Sequence, residues 1–225
     1  FLDENHSLPL MQEYLRSQGN DGYNRRLKES ITSRLNSSSE RLLIVGGGFG
    51  RLGRSVAGEN ADLRVFEIDT LEMMCIGANR MAREQGIENY FSMVGDGRDI
   101  QSLDDAYSHV AAVGITRYLP IEELGEMALE MLRVSNGDIT IADGRLQEQI
   151  IRLKEFAESQ GYKADLLVTH EDMYNITLFY VLLDKYLGDG EFRSLVDVTG
   201  DTVPVLMDLA GTSTKPLYEL VVGEP

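Results

Sequence analysis

The sequence predicts a doubly wound α/β fold, a mostly parallel seven-stranded sheet with helices on both faces. Two observations predict it. From residue 41 to residue 170, short apolar runs alternate with segments of helical periodicity, the pattern of a parallel sheet covered on both sides. The first run, Arg41-Leu-Leu-Ile-Val45, leads straight into Gly46-Gly-Gly48-Phe-Gly50-Arg-Leu-Gly53, and Glu67 closes the second run nineteen residues after Gly48. About 20 residues is the spacing at which an acid on the second strand of such a unit meets a ribose. A ribose-bearing ligand is therefore expected on this loop, whose glycines let the backbone turn tightly and approach it.

Each element follows from local pattern. Residues 1–36 read as helical and polar, with Leu10, Met11, Tyr14 and Leu15 on one face, a break at Asn20-Asp-Gly22 and a second helix from Tyr23 to Leu35. Ser37 to Ser39 lead into the first strand, Leu42 to Val45. Leu52 to Ala57 continue as a helix that Gly58-Glu-Asn60 ends, and Leu63 to Ile68 form the second strand. A helix from Asp69 or Thr70 carries Leu71, Met74, Cys75, Ala78, Met81 and Ala82 at helical spacing and stops at Gly86. Tyr90 to Val94 and His109 to Val113 are strands three and four. A helix begins at Leu119-Pro120 and runs to about Leu132, Asn136-Gly137 turns, and Ile139 to Ala142 make strand five. Leu146 to Ser159 are helical, closed by Gly161, and Ala164 to Thr169 are strand six. Beyond His170 the alternation fails: Met173 to Leu187 look like an apolar helix, and Leu217 to Val222 a closing strand.

A chain of 225 residues suits one main domain with a sizeable core. Its formal charge of −16 argues against a nucleic-acid partner, because phosphate binding needs clustered Lys and Arg. A soluble acidic enzyme with a small-molecule substrate is expected. The single Cys75 excludes an internal disulfide framework and fits a reducing, cytoplasmic setting. No run reaches the roughly 18 apolar residues of a membrane span. The chain opens at Phe1 rather than Met, which leaves room for residues upstream.

The order of these motifs resembles the class I S-adenosylmethionine-dependent methyltransferases over residues 41–145. Gly46-Gly47-Gly48-Phe-Gly50 stands where that family places its first glycine loop. Val65-Phe-Glu67-Ile-Asp69 is similar to the second motif, Val94-Gly95-Asp96-Gly97-Arg98 to the third, and Ala111-Ala-Val-Gly114-Ile-Thr-Arg-Tyr118-Leu-Pro120 to the fourth strand and its loop. Leu132 to Asp143 resemble the helix end, glycine turn and fifth strand. The resemblance implies a Rossmann-like domain over residues 37–225, with residues 1–36 covering the cofactor site. It implies S-adenosyl-L-methionine as cofactor. Gly46, Gly47, Gly48 and Gly50 would let the backbone approach it, Glu67 would accept from the ribose hydroxyls, and Ile68 would pack on the adenine. Gly95, Asp96 and Gly97 would border the adenine, Gly114 would lie beside the methyl, and Tyr23 and Arg26 would stand over the cofactor carboxylate. No metal is implied.

Two positions depart from the family pattern. An acid usually stands two residues before the first glycine, where this chain has Ile44, and strand four commonly opens with Asp, where it has His109. The absent acid and the glycine triplet keep an aminopropyl or aminocarboxypropyl transferase of the spermidine or nicotianamine synthase type in view. For such an enzyme Glu171, Asp172 and Asp184 would be the acids to inspect. Gly48-Phe-Gly50-Arg-Leu-Gly53 also fits the G-x-G-x-x-G of NAD- or FAD-binding enzymes, although Asp96 has no standard role there. A catalytically silent methyltransferase-like fold is a third class. For the acceptor side, Tyr118 and Arg117 follow strand four, and His170-Glu171-Asp172 is the one polar cluster suited to acid–base or metal chemistry, though such a trio more often caps a helix. Residues 171–213 are expected to form a helical insertion serving as a substrate lid or a homodimer contact.

Overall fold

The apolar runs become strands because a strand buried on both faces needs apolar side chains on both. The computed structural model describes residues 22–35, 40–116, 118–143, 147–174 and 212–223. The elements in order are α1 (Gly22–Thr32), β1 (Arg41–Val45), α2 (Arg51–Glu59), β2 (Arg64–Asp69), α3 (Glu72–Glu84) and β3 (Tyr90–Val94). There follow β4 (His109–Val113), α4 (Ile121–Val134), β5 (Ile139–Asp143), α5 (Gln147–Ser159), β6 (Lys163–Tyr174) and β7 (Thr212–Gly223). The expected helix around Leu10 to Leu15, all but the first two residues of the apolar helix expected over Met173 to Leu187, and Arg117 and Asp184 lie outside the described residues. The chain divides into two compact units, one formed by Phe1–Arg25 with Glu171–Lys215, the other by Arg26–His170 with Pro216–Pro225.

The seven strands form one sheet in the order β3-β2-β1-β4-β5-β7-β6. β1, β2, β3, β4 and β5 pair in parallel, whereas β7 runs antiparallel to β5. The sheet is therefore mixed, which corrects the mostly parallel sheet expected from the sequence. The expectation rested on strand–helix alternation, and the antiparallel pairing falls where that alternation stops. β6 also continues through His170, Glu171, Asp172, Met173 and Tyr174, so those residues are strand rather than a helix cap and the start of an apolar helix.

Two glycines end helices as their positions suggest. After α3, Gly86 takes φ 69°, its N–H donates to the Arg83 carbonyl, and the Ile87 N–H reaches back to Ala82 at 2.9 Å. Gly161 repeats this after α5, with φ 90° and a Tyr162 N–H to Ala157 carbonyl bond of 3.1 Å. This is the six-to-one and five-to-two bonding of a Schellman stop, which favours glycine because φ is positive.

The two faces of the sheet differ in chemistry. One face presents Leu43, Val45, Ile68, Val110, Ala112, Ile139, Ile141, Leu220 and Val222 to Leu124, Met127 and Met131 of α4 and to Ile150 and Leu153 of α5. The other face carries Ile44, Glu67 and Ser92 in register, then His109, Thr140 and Glu219, all buried. Buried polar groups need partners, and several have them. The Ser30 hydroxyl of α1 donates to the Glu219 carboxylate, and His109 Nε2 lies 3.0 Å from Thr140 Oγ1. Among the described residues, no helix is long and apolar enough to cross a membrane.

Candidate functional site

Because β1 to β5 run in parallel, their carboxyl ends share one edge, and the loops that leave them meet there. Gly46, Gly48 and Gly50 take φ 70°, 60° and 73°, the left-handed region that side chains avoid. The Gly46 N–H donates to the Ile68 carbonyl at 2.8 Å, pinning the loop to the end of β2. A β-carbon on Gly46 would lie 2.7 Å from Ile115 Cδ1 in the loop after β4, so these two loops touch. Gly48 differs: a β-carbon there would meet nothing within 4 Å. The loop thus offers an open side at Gly48 and closed sides at its neighbours.

Glu67, the acid expected to meet the ribose, lies beneath the glycine loop. Its side chain is 0% exposed, and a β-carbon on Gly47 would collide with its carboxyl group. A β-carbon on Gly53 would lie 2.6 Å from Glu67 Oε2, so the glycine loop and α2 sit directly on this acid. The groups that face its carboxyl are the Tyr90 hydroxyl and the Arg54 guanidinium. Burial raises the Glu67 carboxyl from its ordinary 4.5 to about 8; the Tyr90 hydroxyl and the Arg54 guanidinium oppose the rise, and Asp69 adds to it. Burial also pushes the Tyr90 phenol upward, with Glu67 adding to the shift. Arg54 is buried, donating from Nε to the Phe49 carbonyl at 3.3 Å and from Nη1 to Gln85 Oε1 at 2.5 Å. Ile44, the position where the resembling family carries an acid, is the register partner of Glu67. The carboxylate stands one strand over, on the same face.

Asp69, two residues further on, stands beside the open glycine. Its Oδ2 accepts from the Gly48 N–H at 3.0 Å and its Oδ1 from the Leu71 N–H at 2.9 Å. Its backbone carbonyl accepts from the Gly95 N–H at 3.0 Å, so one residue links the loops after β1 and β3. Ile68, expected against the adenine, is 6% exposed and packs in the core, and the apolar side chain standing open after β2 is Leu71, at 53%.

Gly95 and Gly97 stand close to Ile68 and Val45, and Asp96 lies between them at the surface. The Asp96 carboxylate accepts from Arg98 Nη2 at 2.6 Å, Arg98 Nε at 3.0 Å and the Arg98 N–H at 2.9 Å, which holds it below the usual carboxylate range. The same guanidinium pairs with Glu123 in the first turn of α4. Gly114 has φ 70° and donates to the Ala142 carbonyl at 2.8 Å. Behind it, the buried Thr116 hydroxyl donates to Asp143 Oδ2 at 2.6 Å, joining the ends of β4 and β5. Asp143 is a group that spacing rules do not single out; its place at the end of an apolar strand is the available signal.

Tyr118 is in a turn and 74% exposed. His170 lies on β6, four strands along the sheet from β1, and Glu171 follows it on the same strand. Tyr23 lies in the first turn of α1. Among the described residues, no group of three His, Cys, Asp or Glu side chains is placed to hold a metal ion.

A glycine loop after β1, an acid closing β2 and parallel strands that share one carboxyl edge define a Rossmann-like fold. More specifically, the fold is that of the class I S-adenosylmethionine-dependent methyltransferases, as solved structures bear out. The chain is similar to magnesium protoporphyrin IX methyltransferase from Synechocystis PCC 6803 with bound SAM, at 12% identity and TM-score 0.60, over 92% of this chain and 83% of that one. It is similar to a SAM dependent methyltransferase from Aquifex aeolicus at 13% identity and TM-score 0.53, over 86% and 87%. It is also similar to the cyclase SpnF at 19% identity and TM-score 0.62, over 89% and 81%. No family model and no curated protein matches the sequence.

Proposed function

We propose that this chain binds S-adenosyl-L-methionine along the carboxyl edge of its sheet and directs its methyl group to a small-molecule acceptor. The observation that carries the reading is Asp69. Its carboxylate is fixed beside the one open glycine of the loop, with both oxygens held in place by backbone N–H groups. A carboxylate so placed keeps lone pairs free to accept from two vicinal ribose hydroxyls. Gly48 would let the backbone approach, Leu71 would supply apolar contact for the base, and Asp96 would offer an acceptor to an amino group if Arg98 shares it.

When bound, the cofactor supplies an activated methyl on a sulfonium sulfur. The work left to the chain is to align two reactants and exclude water, which can supply about 7–11 kcal/mol of barrier reduction. The Gly114–Thr116 segment, held by the Asp143 contact, would border the reacting centre and set the line of approach. No general base is required when the acceptor is a neutral amine or a stabilised carbanion; a hydroxyl acceptor would need one.

The fold is shared with a cyclase, so binding and transfer need separate tests. Isothermal titration with S-adenosylmethionine and S-adenosylhomocysteine tests the site. Mass spectrometry of candidate acceptors then distinguishes a methyl from an aminopropyl or aminocarboxypropyl arm. Absence of heat with either nucleoside would sink the reading.

A further inference from the structure

β3 is the last strand of the sheet, with β2 on one side and, among the described residues, no strand on the other. A bare edge offers unpaired N–H and C=O groups to other chains, and proteins blunt such edges with charge, proline or a bulge. Tyr90-Phe-Ser-Met-Val94 carries neither charge nor proline, and its Phe91, Met93 and Val94 are exposed apolar side chains. The ladder decides which backbone groups face outward. The Val65 N–H donates to the Asn89 carbonyl at 2.9 Å and the Gly95 N–H to the Asp69 carbonyl at 3.0 Å, so residues 89 and 95 face β2. Backbone groups alternate sides along a strand, so Phe91 and Met93 also face β2, and Tyr90, Ser92 and Val94 turn their N–H and C=O groups outward.

The middle of these three outward positions is occupied by a side chain. Asn79 of α3 accepts from the Ser92 N–H through Oδ1 at 2.9 Å and donates from Nδ2 to the Ser92 carbonyl at 2.7 Å. A neighbouring strand would supply the same pair of bonds. An amide can do so because it carries a donor and an acceptor side by side, which a carboxylate or an apolar side chain does not.

We infer that Asn79 closes the β3 edge against pairing with a second copy of this chain. A second copy is the occupant excluded because β3 is self-complementary about Ser92. In an antiparallel pairing about a two-fold axis there, the two Ser92 residues meet, and Phe91 of each copy faces Met93 of the other on one sheet face. Such a pairing would cover the exposed apolar side chains of the strand. What stands in its way is the Asn79 amide at the central position. The inference does not depend on what the carboxyl edge binds.

Sedimentation velocity at rising protein concentration tests it. Asn79→Ala is expected to gain mass toward about twice that of wild type, as a two-fold pair requires. Adding Val94→Lys to Asn79→Ala is expected to restore the wild-type mass, because lysine on an edge strand opposes pairing, and Val94→Lys alone to leave the wild-type mass unchanged. A folded Asn79→Ala protein with wild-type mass at every concentration overturns the inference. So does an association that Val94→Lys fails to reverse, or a change of mass caused by Val94→Lys alone. Should Asn79→Ala fail to fold by circular dichroism, hydrogen exchange of the wild-type protein decides. The Ser92 amide is then expected to exchange more slowly than an open amide because Asn79 holds it, and exchange at the unprotected rate overturns the inference.

Discussion

Asp69 accepts a 3.0 Å hydrogen bond from the Gly48 N–H, tying the end of β2 to the open turn after β1. Glu67, two residues earlier on the same face, is buried beneath that turn. The two acids should therefore part company on mutation. Asp69→Ala removes a charged acceptor at the mouth, and hydrogen bonds to charged groups contribute about 1.5–3 kcal/mol. S-adenosylmethionine affinity is expected to drop about 10- to 150-fold by isothermal titration, and the thermal midpoint to fall as well, because the Gly48 and Leu71 N–H groups lose their acceptor. Equal affinity in wild type and Asp69→Ala would remove Asp69 from the site.

Gly47 and Gly48 are neighbours with opposite surroundings. A methyl group at Gly47 enters the space of the Glu67 carboxyl, whereas one at Gly48 meets nothing. Gly47→Ala is expected to cost about 1–3 kcal/mol of folding stability through overpacking. Gly48→Ala incurs about 1–2 kcal/mol from its positive φ and also fills the side open to the nucleoside. Binding should suffer more than stability at Gly48, and stability at least as much as binding at Gly47. Denaturant titration beside calorimetric titration checks the pair.

The parallel core was legible because β1 to β5 and the helices between them are strongly periodic. What was not legible was depth along a strand. Glu67 and Asp69 lie on the same face, so alternation alone cannot say which one reaches the edge. Register decides it: Val45 pairs with Ile68 as the last pair of β1 and β2, and Asp69 projects one residue past it. Ending β2 at Ile68 in the sequence left Asp69, the last residue of the strand, without notice. The polar run His170-Glu171-Asp172 failed for a related reason, since three polar residues read as a cap, yet the strand continues through them. Asp143, at the end of an apolar strand, had no spacing rule to draw notice to it.

Two buried groups on one sheet face should give stability an unusual pH profile. The Glu67 carboxyl rises from 4.5 to about 8, so the native state holds a proton that the unfolded chain releases. Its contribution is complete below about pH 4.5 and is lost as pH climbs to about 8. His109 is lowered by burial from 6.5 to about 4, with Arg34 adding to the fall. Its contribution is complete above pH 6.5 and is lost as pH drops to about 4. Each has a slope near 1.4 kcal/mol per pH unit, of opposite sign. The two cancel between about pH 4.5 and 6.5, and only Glu67 acts from 6.5 to 8. Relative to wild type, Glu67→Gln is expected to gain stability as pH rises from 6.5 to 8. His109→Asn is expected to gain as pH falls from 6.5 toward 4. Urea midpoints for all three proteins at half-unit steps would show it, and parallel profiles would refute both assignments.

Thr116 and Asp143 join the ends of β4 and β5 at the carboxyl edge. The hydroxyl donates at 2.6 Å to a carboxylate that is itself buried. Thr116→Val keeps the shape and deletes the donor, leaving that oxygen of a buried acid without it; about 1.5–3 kcal/mol of stability should go. Thr116→Ser retains the donor and should recover most of it. The functional consequence follows from position. Gly114, two residues before Thr116, is fastened to Ala142 by its own N–H, so the segment between has one backbone and one side-chain anchor. On the proposed function, removing the side-chain anchor should reduce methyl-transfer rate more than cofactor affinity, since Asp69 and Gly48 bond to each other across β1 and β2 and not to this segment. A Thr116→Val protein with weakened S-adenosylmethionine binding but an unaltered transfer rate would place this pair with the cofactor rather than with the reacting centre.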